Sequence, residues 1–322
     1  MAVVTYQITA NDTDITALLN DYLISLTITD SIGDHSDSLT IVLHDTQEQI
    51  SFPPAGAELK ISLGAKDSLS SFGTFVVDQV SYKTPPSMIE ISAKSVPFNK
   101  SNQYQAMQTQ KNRSFDQTTV GTIVNQIANE HALAAVIAPE IESKLVDHID
   151  QTNESNVGFL HRLARLHNAK LKLTYEKILL LKAQGRTVNG NDITPIDLNL
   201  TDLTSLSYTT QKKISYQSVI AQYHDIDSGE TKEIIIGFGE PVMRATYLYP
   251  DESQARQMAE KVLSKAQDDS DEINFSMAGN PQIISGVPIK ISGLRADISQ
   301  DWVVKTAIHS LSESGYVVSI GG

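Results

Sequence analysis

The sequence of 322 residues contains no cysteine. Disulfide bonds, thiolate zinc sites, iron–sulfur clusters and a cysteine nucleophile are therefore excluded. Aromatic residues are scarce, at 6% of the chain, and Trp302 is the single tryptophan. Apolar runs such as Ile178–Leu181 are far shorter than the roughly 20 residues that a membrane-spanning helix requires. Residues 1–25 lack the basic segment and the apolar block of a signal peptide, so we expect no export signal and no membrane partner.

Basic residues are the minority among the charged ones. Lysine and arginine number 25 against 38 aspartates and glutamates, which gives a formal net charge of −13. Tight binding to a nucleic-acid backbone requires clustered cations that displace counterions, and an anionic membrane surface makes the same demand. We therefore expect no specific binding to nucleic acid.

The hydrophobic pattern divides the chain into three parts. Residues 1–95 carry short alternating segments separated by turn residues, which is typical of a small barrel or sandwich. Residues 96–200 mix helical and strand periodicity, and residues 201–322 return to strands with one helix. Residues 1–95 contain four basic and twelve acidic residues, residues 96–200 contain eleven basic and ten acidic, and residues 201–322 contain ten basic and sixteen acidic. The net charges of the three parts are therefore −8, +1 and −6. We predict a mainly β protein with an α+β middle part and two acidic β-rich parts.

Helix and hairpin signals are clearest in the middle of the chain. Thr118–Leu133 and Ser155–His167 place apolar residues at helical spacing. The segments Lys170–Tyr175 and Ile178–Ala183 are strand-like and are joined by two residues, which predicts a hairpin. In the last part, the capping box in Asp251–Gln254 predicts the start of another helix.

No stretch carries the pattern of a known active site. The sequence has neither a G-x-x-x-x-G-K-[ST] phosphate loop nor a G-x-S-x-G nucleophile elbow. His161 and His167 point in different directions on a helix, so a shared metal is not expected. Glu130 and His131 are adjacent and do not face each other, which predicts a solvated helix end. Trp302 is interpreted as a core or interface anchor. We predict no catalytic residue, no cofactor and no metal site.

The segment QTNESNVGFLHRLARLHNAKLKL, residues 151–173, is the most specific part of the sequence. It resembles the Q-x-x-E-S-D-x-x-F-L-x-R-L-A segment of phage late control gene D proteins. These are contractile-tail hub proteins of the class that includes the VgrG spikes of type VI secretion. Asn156 stands where this family usually has aspartate, which weakens a charge role for that position. The matching residues are Gln151, Glu154, Ser155, Phe159, Leu160, Arg162, Leu163 and Ala164.

Three further segments resemble the same family and follow the same order. The segment RSFDQTTVGTIVNQIANEHAL has Phe115 where the family more often has tryptophan. Residues 216–221, YQSVIA, resemble the strand that opens the second barrel of these proteins. A G-x-x-S-D-x-L motif near the start is matched by Gly33, Ser36, Asp37 and Leu39.

Folding alone can account for the residue types of the 151–173 segment. Glu154 and Ser155 can satisfy free backbone N–H groups at a helix start and favour the helix dipole. Arg162 lies off the apolar face of this helix and is the candidate for an inter-subunit salt bridge. We interpret the segment as a folding signature rather than a binding site. The residues expected to bury the helix against the following hairpin are Phe159, Leu160 and Leu163.

The resemblance implies a structural protein rather than an enzyme. Hub proteins of this family are trimers whose subunits each carry two similar β-barrel domains, so the ring presents sixfold pseudo-symmetry to a hexameric tail tube and threefold symmetry to a trimeric spike. For this chain it implies similar barrels in residues 1–95 and 201–322, on either side of an α+β domain in residues 96–200. The implied partners are further copies of the chain, the tube protein, the spike protein and other baseplate proteins. The implied location is the tail baseplate of a virion, with assembly in the host cytoplasm.

The charge pattern adds one expectation to this resemblance. If the two acidic parts line the lumen of a ring, DNA leaving through the tube meets like charge and is not retained. We therefore expect passage of DNA through the lumen without specific binding.

Other functions stay open at this point. A VgrG-like hub of a type VI secretion system or of a phage-tail-like bacteriocin fits the same resemblance. A peptidoglycan hydrolase at the tail tip belongs to another class, but the chain has no spare segment of lysozyme size and no recognisable acid/base pair of carboxylates. A carbohydrate-binding or receptor-binding tail module would require exposed aromatic clusters on loops, and the aromatic content is low.

Overall fold

The chain forms two compact units. The first comprises Met1–Leu206 and Phe275–Gly322, and the second comprises Ser207–Asn274. Residues 201–322 therefore contribute to both units, and the division into three domains stays a prediction. Gly33 of the opening motif lies outside the residues that the structure describes. The computed structural model describes residues 4–32, 36–65, 68–96, 102–167, 169–182, 194–210, 216–226, 228–268 and 271–322.

Strands account for 56% of the structure and helices for 18%. The predicted mainly β class with an α+β middle part is therefore confirmed. None of the helices in the described part of the chain is both long enough and apolar enough to cross a membrane. The helices are α1 (Thr16–Leu19), α2 (Asn102–Gln108), α3 (Val120–Glu130), α4 (Pro139–Glu142), α5 (Asn156–Leu166) and α6 (Glu252–Asp268), with a 3₁₀ turn at Leu200–Asp202. The strands are β1 (Val4–Ala10), β2 (Thr13–Asp14), β3 (Leu23–Ser31), β4 (Ser38–His44), β5 (Glu58–Ala65), β6 (Ser68–Lys83), β7 (Met88–Lys94), β8 (Gln110–Thr119), β9 (Ala134–Ile137), β10 (Leu145–Ser155), β11 (Ala169–Leu173), β12 (Lys177–Lys182), β13 (Ile196–Asn199), β14 (Leu203–Thr210), β15 (Ser218–Asp225), β16 (Glu230–Gly237), β17 (Val242–Tyr249), β18 (Asp271–Ala278), β19 (Pro288–Ser292), β20 (Asp301–Val303), β21 (Thr306–Ser312) and β22 (Gly315–Gly321).

One sheet of eleven strands dominates the fold, in the order β14–β18–β22–β21–β3–β4–β7–β6–β5–β1–β2. Its strands show the alternation that the sequence predicts, because successive side chains of a strand point to opposite faces. In β3 and β4, for example, Ile28 lies opposite Leu39 and both are buried. Apolar side chains of β3 to β7 form the main core of this sheet.

Strands from both ends of the chain are neighbours in this sheet. β21 pairs antiparallel with β3, which places Ala307 opposite Asp30 and Leu311 opposite Leu26. The first and last parts of the sequence therefore share one sheet, an arrangement that local patterning does not reveal. The closure of these strands into two similar barrels stays a prediction.

The middle part packs helices on a small sheet. β11 and β12 form the predicted antiparallel hairpin, and β12 also pairs in parallel with β9. Thr119 caps the start of α3, and its hydroxyl oxygen accepts a hydrogen bond from the Thr122 N–H at 3.2 Å. Apolar residues of α3, α5 and this sheet form one core, which includes Val124, Ile127, Leu171 and Leu180.

The sequence pattern does not predict the ribbon of β8 and β10. These strands pair antiparallel from Leu145 opposite Thr119 to Ser155 opposite Gln110. Both strands are largely polar, so they lack the apolar alternation by which strands are recognised in a sequence. They are held in place instead by pairing with each other and by packing against α3 and α5.

The second unit is a three-stranded sheet with one helix. β15 lies between β16, its antiparallel neighbour, and β17, its parallel neighbour. α6 begins as predicted, because the Asp251 carboxylate accepts the backbone N–H of Gln254 at 2.8 Å. The buried core of this unit comprises Val219, Ala221, Ile234, Ala255 and Ala259.

Candidate functional site

The 151–164 segment joins the end of β10 to α5 through a β-bulge. Gln151 is paired with Arg113 of β8, whereas Glu154 is paired with Lys111, so the register shifts between these pairs. Asn153, inside the bulge, has a φ of +47°, a left-handed conformation that asparagine tolerates better than most residues. A bulge of this kind bends its strand and re-aims side chains. Here the side chain of Gln151 lies fully inside the protein.

Ser155 starts helix α5. Its hydroxyl oxygen accepts a hydrogen bond from the backbone N–H of Gly158 at 3.1 Å, as the sequence predicts for an N-cap. Glu154, which the sequence assigns to the same task, instead forms an ion pair with Arg162. The helix start therefore depends on Ser155.

The buried face of α5 agrees with the prediction. Phe159, Leu160 and Leu163 are fully buried in the core of the middle part, where α5 contacts β11. The Phe159 ring also stacks on Phe115 of β8, with 5.4 Å between ring centroids. Phe115 belongs to a different segment of the resemblance, so the two matched segments pack directly on each other.

Arg162 has a partner within the chain. Its guanidinium contacts the Glu154 carboxylate at 2.7 Å and donates to the backbone carbonyl of Asp150 at 2.5 Å. It also lies 5.0 Å from the centroid of the Phe159 ring, within the range of a cation–π interaction. A groove of about 510 Å³ borders this side of α5 and is lined by Glu154, Gly158, His161, Arg162 and Arg165. The inter-subunit salt bridge of Arg162 stays a prediction.

Beneath the segment lies a network of buried side-chain amides. Arg113 donates from Nε to Gln151 Oε1 at 2.7 Å and from Nη2 to Asn156 Oδ1 at 2.9 Å. Gln151 Nε2 donates to Asn156 Oδ1 and to the backbone carbonyl of Glu154, at 2.9 and 2.8 Å. Buried polar groups are stable only when hydrogen-bonded, and these satisfy one another. Gln151 and Asn156 are therefore held by hydrogen bonds within the chain, and the interpretation of the segment as a folding signature stays a prediction.

The structure corrects the expectation for Glu130 and His131. Glu130 lies at the surface, but His131 is buried, with Nε2 only 2.7 Å from Nδ2 of Asn156. His131 is thus part of the interior network and not of a solvated helix end. The fold overrides the local pattern because the β8–β10 ribbon covers the end of α3, a contact that no local signal predicts.

Glu130 closes the network on its outer side. Its carboxylate forms ion pairs with Lys111, at 2.8 Å, and with Arg113. Partial burial would raise the pKa of Glu130, but the hydrogen bonds from Lys111 and Arg113 outweigh this effect and lower the pKa to about 2. The carboxylate is therefore ionised wherever the protein is folded in ordinary buffers.

Trp302 lies on β20, opposite Ile289 of β19. Its side chain is half-buried, and the indole N–H donates to the backbone carbonyl of Ser299 at 2.7 Å. The position suits an anchor of a surface segment, and its role in an interface stays a prediction.

An exposed cluster on the β8–β10 ribbon holds a histidine between two aspartates. His148 lies between Asp116, 2.5 Å from Nδ1, and Asp150, 3.2 Å from Nε2. The hydrogen bonds to Asp116 and Asp150 raise the pKa of His148. Ser114 donates to Asp150 at 2.6 Å and not to the histidine, so these side chains lack the serine–histidine pair of nucleophilic catalysis. Across the described ranges, no group of three or more His, Asp or Glu side chains is arranged to hold a metal ion.

The sequence is similar to those of probable baseplate hub proteins of two Escherichia phages. The chain is 28% identical to the probable baseplate hub protein of Escherichia phage P2, over an alignment that covers 98% of this chain and 92% of the phage protein. No protein family model matches the chain.

The fold is shared with solved structures of a prophage tail protein and of a type VI secretion component. The 43 kDa tail protein of prophage MuSo2 from Shewanella oneidensis has a TM-score of 0.75 at 12% identity and covers 99% of this chain and 98% of its own. The E. coli c3393 protein, a component of the type VI secretion system, has a TM-score of 0.58 at 12% identity and covers 93% of this chain and 73% of its own. The predicted resemblance to phage tail hub proteins and VgrG-like proteins is therefore confirmed.

Proposed function

We propose that this chain is a structural baseplate hub protein of a contractile phage tail. The observation that carries the proposal is the similarity to the phage P2 hub protein, which extends over 98% of this chain. The fold that it shares with a prophage tail protein over 99% of its length supports the same conclusion. Because the similarity spans nearly the whole chain, the proposal concerns the chain as a unit and not one domain of it.

The finer proposal is that three copies form a symmetry adaptor between a hexameric tail tube and a trimeric spike. Strand-rich first and last parts on either side of the α+β part support it, since three copies with two similar barrels each would present six barrels to the tube. Other baseplate proteins would bind at the periphery. Contacts between copies would depend on strand pairing and apolar surfaces, as in other symmetric oligomers.

The role is proposed to be assembly and not catalysis. The polar residues of the most specific segment support this view, because Gln151, Asn156 and Arg113 bond to one another in the interior. Gln151 and Asn156 are fully buried, so these bonds serve the fold. The acidic first and last parts are proposed to line the lumen, so that DNA passes without specific binding.

The location is proposed to be the tail baseplate, reached from the host cytoplasm during assembly. A phage or prophage that encodes the chain allows a direct test. Deleting the gene should leave particles without complete contractile tails, and supplying the chain in trans should restore them. Antibody-linked gold should mark the junction of tube and spike in electron micrographs. Complete tails without the chain, or label along the whole tube, would refute the proposal.

A VgrG-like hub of a secretion machine or of a bacteriocin particle is the second candidate, favoured by the fold shared with the type VI component. Purified particles distinguish these cases. A phage tail is attached to a DNA-filled head, and a bacteriocin particle is a tail without a head. A secretion hub co-purifies with no such particle. A peptidoglycan hydrolase has no support from the comparisons. Zymography with the purified chain should show no clearing of peptidoglycan, and clearing would reverse the assignment.

A further inference from the structure

A lysine and two aspartates form a shielded charge cluster in the first unit. The Lys172 ammonium, on β11, forms ion pairs with Asp30 of β3 and with Asp37, which immediately precedes β4; the Asp37 oxygen lies 3.2 Å away. The three side chains are only 10–15% exposed. None of the sequence patterns indicated this cluster, although Asp37 belongs to the opening motif.

The cluster connects three stretches that are distant in sequence, namely residues 30–37, Lys172 and Ser285. Ser285, between β18 and β19, donates to Asp30 from its backbone N–H at 2.7 Å and from its hydroxyl at 2.8 Å. Lys172 also donates to the Ser285 hydroxyl at 3.2 Å, and the Ser31 N–H donates to Asp37 at 3.1 Å. Residues of all three sequence parts, 1–95, 96–200 and 201–322, therefore meet around one ammonium group.

The charges of the cluster do not balance when all three groups are ionised. Two carboxylates share one ammonium, which leaves one excess negative charge in a site that is largely shielded from water. Removing a charge from water is costly unless a partner compensates it. Asp30 has three donors and Asp37 has two, so Asp37 is the less compensated carboxylate.

The directions of the pKa shifts follow from this geometry. Burial and the neighbouring charge of Asp30 raise the pKa of Asp37 to about 6, in spite of Lys172. Burial would also raise the pKa of Asp30, but Lys172 and the Ser285 donors outweigh it and lower that pKa. Burial opposes the charge of Lys172, yet the two carboxylates raise its pKa. His309 of β21 is the other titratable group that interacts with Asp30; burial lowers the pKa of His309, and its ring bonds to Tyr316 and to the Ile283 carbonyl.

We propose that Asp30, Asp37, Lys172 and Ser285 form a proton-sensitive latch that holds the hairpin β11–β12 against β3 and the segment before β19. With Asp37 protonated, one carboxylate faces one ammonium and the junction is tight. With Asp37 ionised, the excess charge loosens the junction. The latch is a property of this fold and does not depend on the proposed assembly function.

The sign of the effect follows from the difference between the folded and unfolded states. A carboxyl group that holds its proton more strongly when folded stabilises the protein fully below its unfolded pKa, and this contribution is lost as the pH rises through about 6. Between pH 8 and pH 5, Asp37 alone should lower the unfolding equilibrium constant about tenfold.

The test compares the wild-type chain with Asp37→Asn, which imitates the protonated state. Urea unfolding at pH 8, 7, 6 and 5 should show Asp37→Asn more stable than wild type at pH 8, with the difference shrinking toward pH 5. Hydrogen exchange of residues 169–173, compared between the two proteins at the same pH, should show slower exchange in Asp37→Asn at pH 8. The matched control is Asp78→Asn, since Asp78 pairs with Lys94 near the surface at 3.6 Å. The stability of Asp78→Asn should change with pH in the same way as that of the wild type.

A second variant should make the stability depend more steeply on pH than it does in the wild type. Lys172→Met leaves two carboxylates without a cation, so its stability should fall more steeply than that of wild type between pH 5 and pH 8. If Lys172→Met does not fold, the comparison of Asp37→Asn with wild type decides alone. Parallel pH profiles for wild type and Asp37→Asn would overturn the latch, as would an Asp37→Asn protein that is less stable at pH 8.

Discussion

The side-chain amides of Gln151 and Asn156 meet inside the protein, where Gln151 Nε2 donates to Asn156 Oδ1 at 2.9 Å. Both residues are fully buried. The bond connects the end of β10 with the first turn of α5, and Arg113 of β8 donates to both amides. Two strands and a helix are thus joined by three polar side chains. This arrangement gives the polar residues Gln151 and Asn156 of the most specific segment a role within the chain.

Replacing Gln151 with leucine tests this interpretation. The substitution leaves Arg113 Nε and the carbonyl of Glu154 without their partner in a buried place, so we expect a loss of about 1–3 kcal/mol in the free energy of unfolding, measured with urea. The control is Gln126→Leu on the exposed side of α3, which should change stability by no more than about 0.5 kcal/mol. A Gln151→Leu protein of normal stability that fails to assemble would identify Gln151 as a contact residue instead.

Two leucines of α5 offer a matched pair. Leu163 is fully buried in the core, whereas Leu166, one turn later, is 45% exposed. Leu163→Asp places an unpaired charge in the core and should abolish soluble expression of folded protein. Leu166→Asp should yield folded chain with a near-normal circular dichroism spectrum. Equal behaviour of the two variants would contradict the packing of α5.

The inter-subunit role of Arg162 can be separated from its contact with Glu154. A partly exposed ion pair contributes about 0–1 kcal/mol, so Arg162→Met should lower the free energy of unfolding only slightly. If Arg162 also binds a neighbouring subunit, this variant should fold but fail to complement the gene deletion. Arg165→Met, on the same helix, provides the control. Full complementation by Arg162→Met would restrict Arg162 to its role within the chain.

We expect the protein to lose stability in acid through the protonation of Glu130. Its pKa is lowered to about 2 in the folded state, so its contribution is complete above the ordinary glutamate pKa near 4.5 and is lost as the pH falls from there toward 2. Glu130→Gln should therefore be less stable than wild type at pH 6, and the difference should shrink below pH 4. Thermal unfolding between pH 6 and pH 3 measures it. This window lies below that of Asp37, and the sign is opposite, so the two effects can be distinguished. A constant difference across the range would show that the ion pairs of Glu130 do not control its titration.

Elements defined by neighbouring residues could be predicted from the sequence. The N-cap Ser155, the apolar face of α5 and the hairpin β11–β12 all depend on spacings of a few residues. The alternating strand pattern of residues 1–95 is predicted for the same reason, and so is the capping box of α6. The resemblance added the identity of the segment, because the order of its residues is specific even where their roles are structural.

Partners that are far apart in the chain could not be predicted. The ribbon of β8 and β10 has little apolar alternation, so its pairing, the burial of His131 and the contacts of Gln151 became visible only in three dimensions. Lys172 shows the same limit: it occupies a strand position that usually faces solvent, and nothing in its surroundings along the chain indicates two aspartates more than 130 residues earlier.

The sequence by itself determined the strand-rich class, the local helix signals, the acidic charge and the family resemblance, because periodicity, composition and residue order are properties of short stretches. The tertiary structure alone decided which strands became neighbours, which polar groups entered the interior and where the charges met. These depend on contacts between distant segments, and their energies arise only when the chain has closed those contacts and excluded water from them.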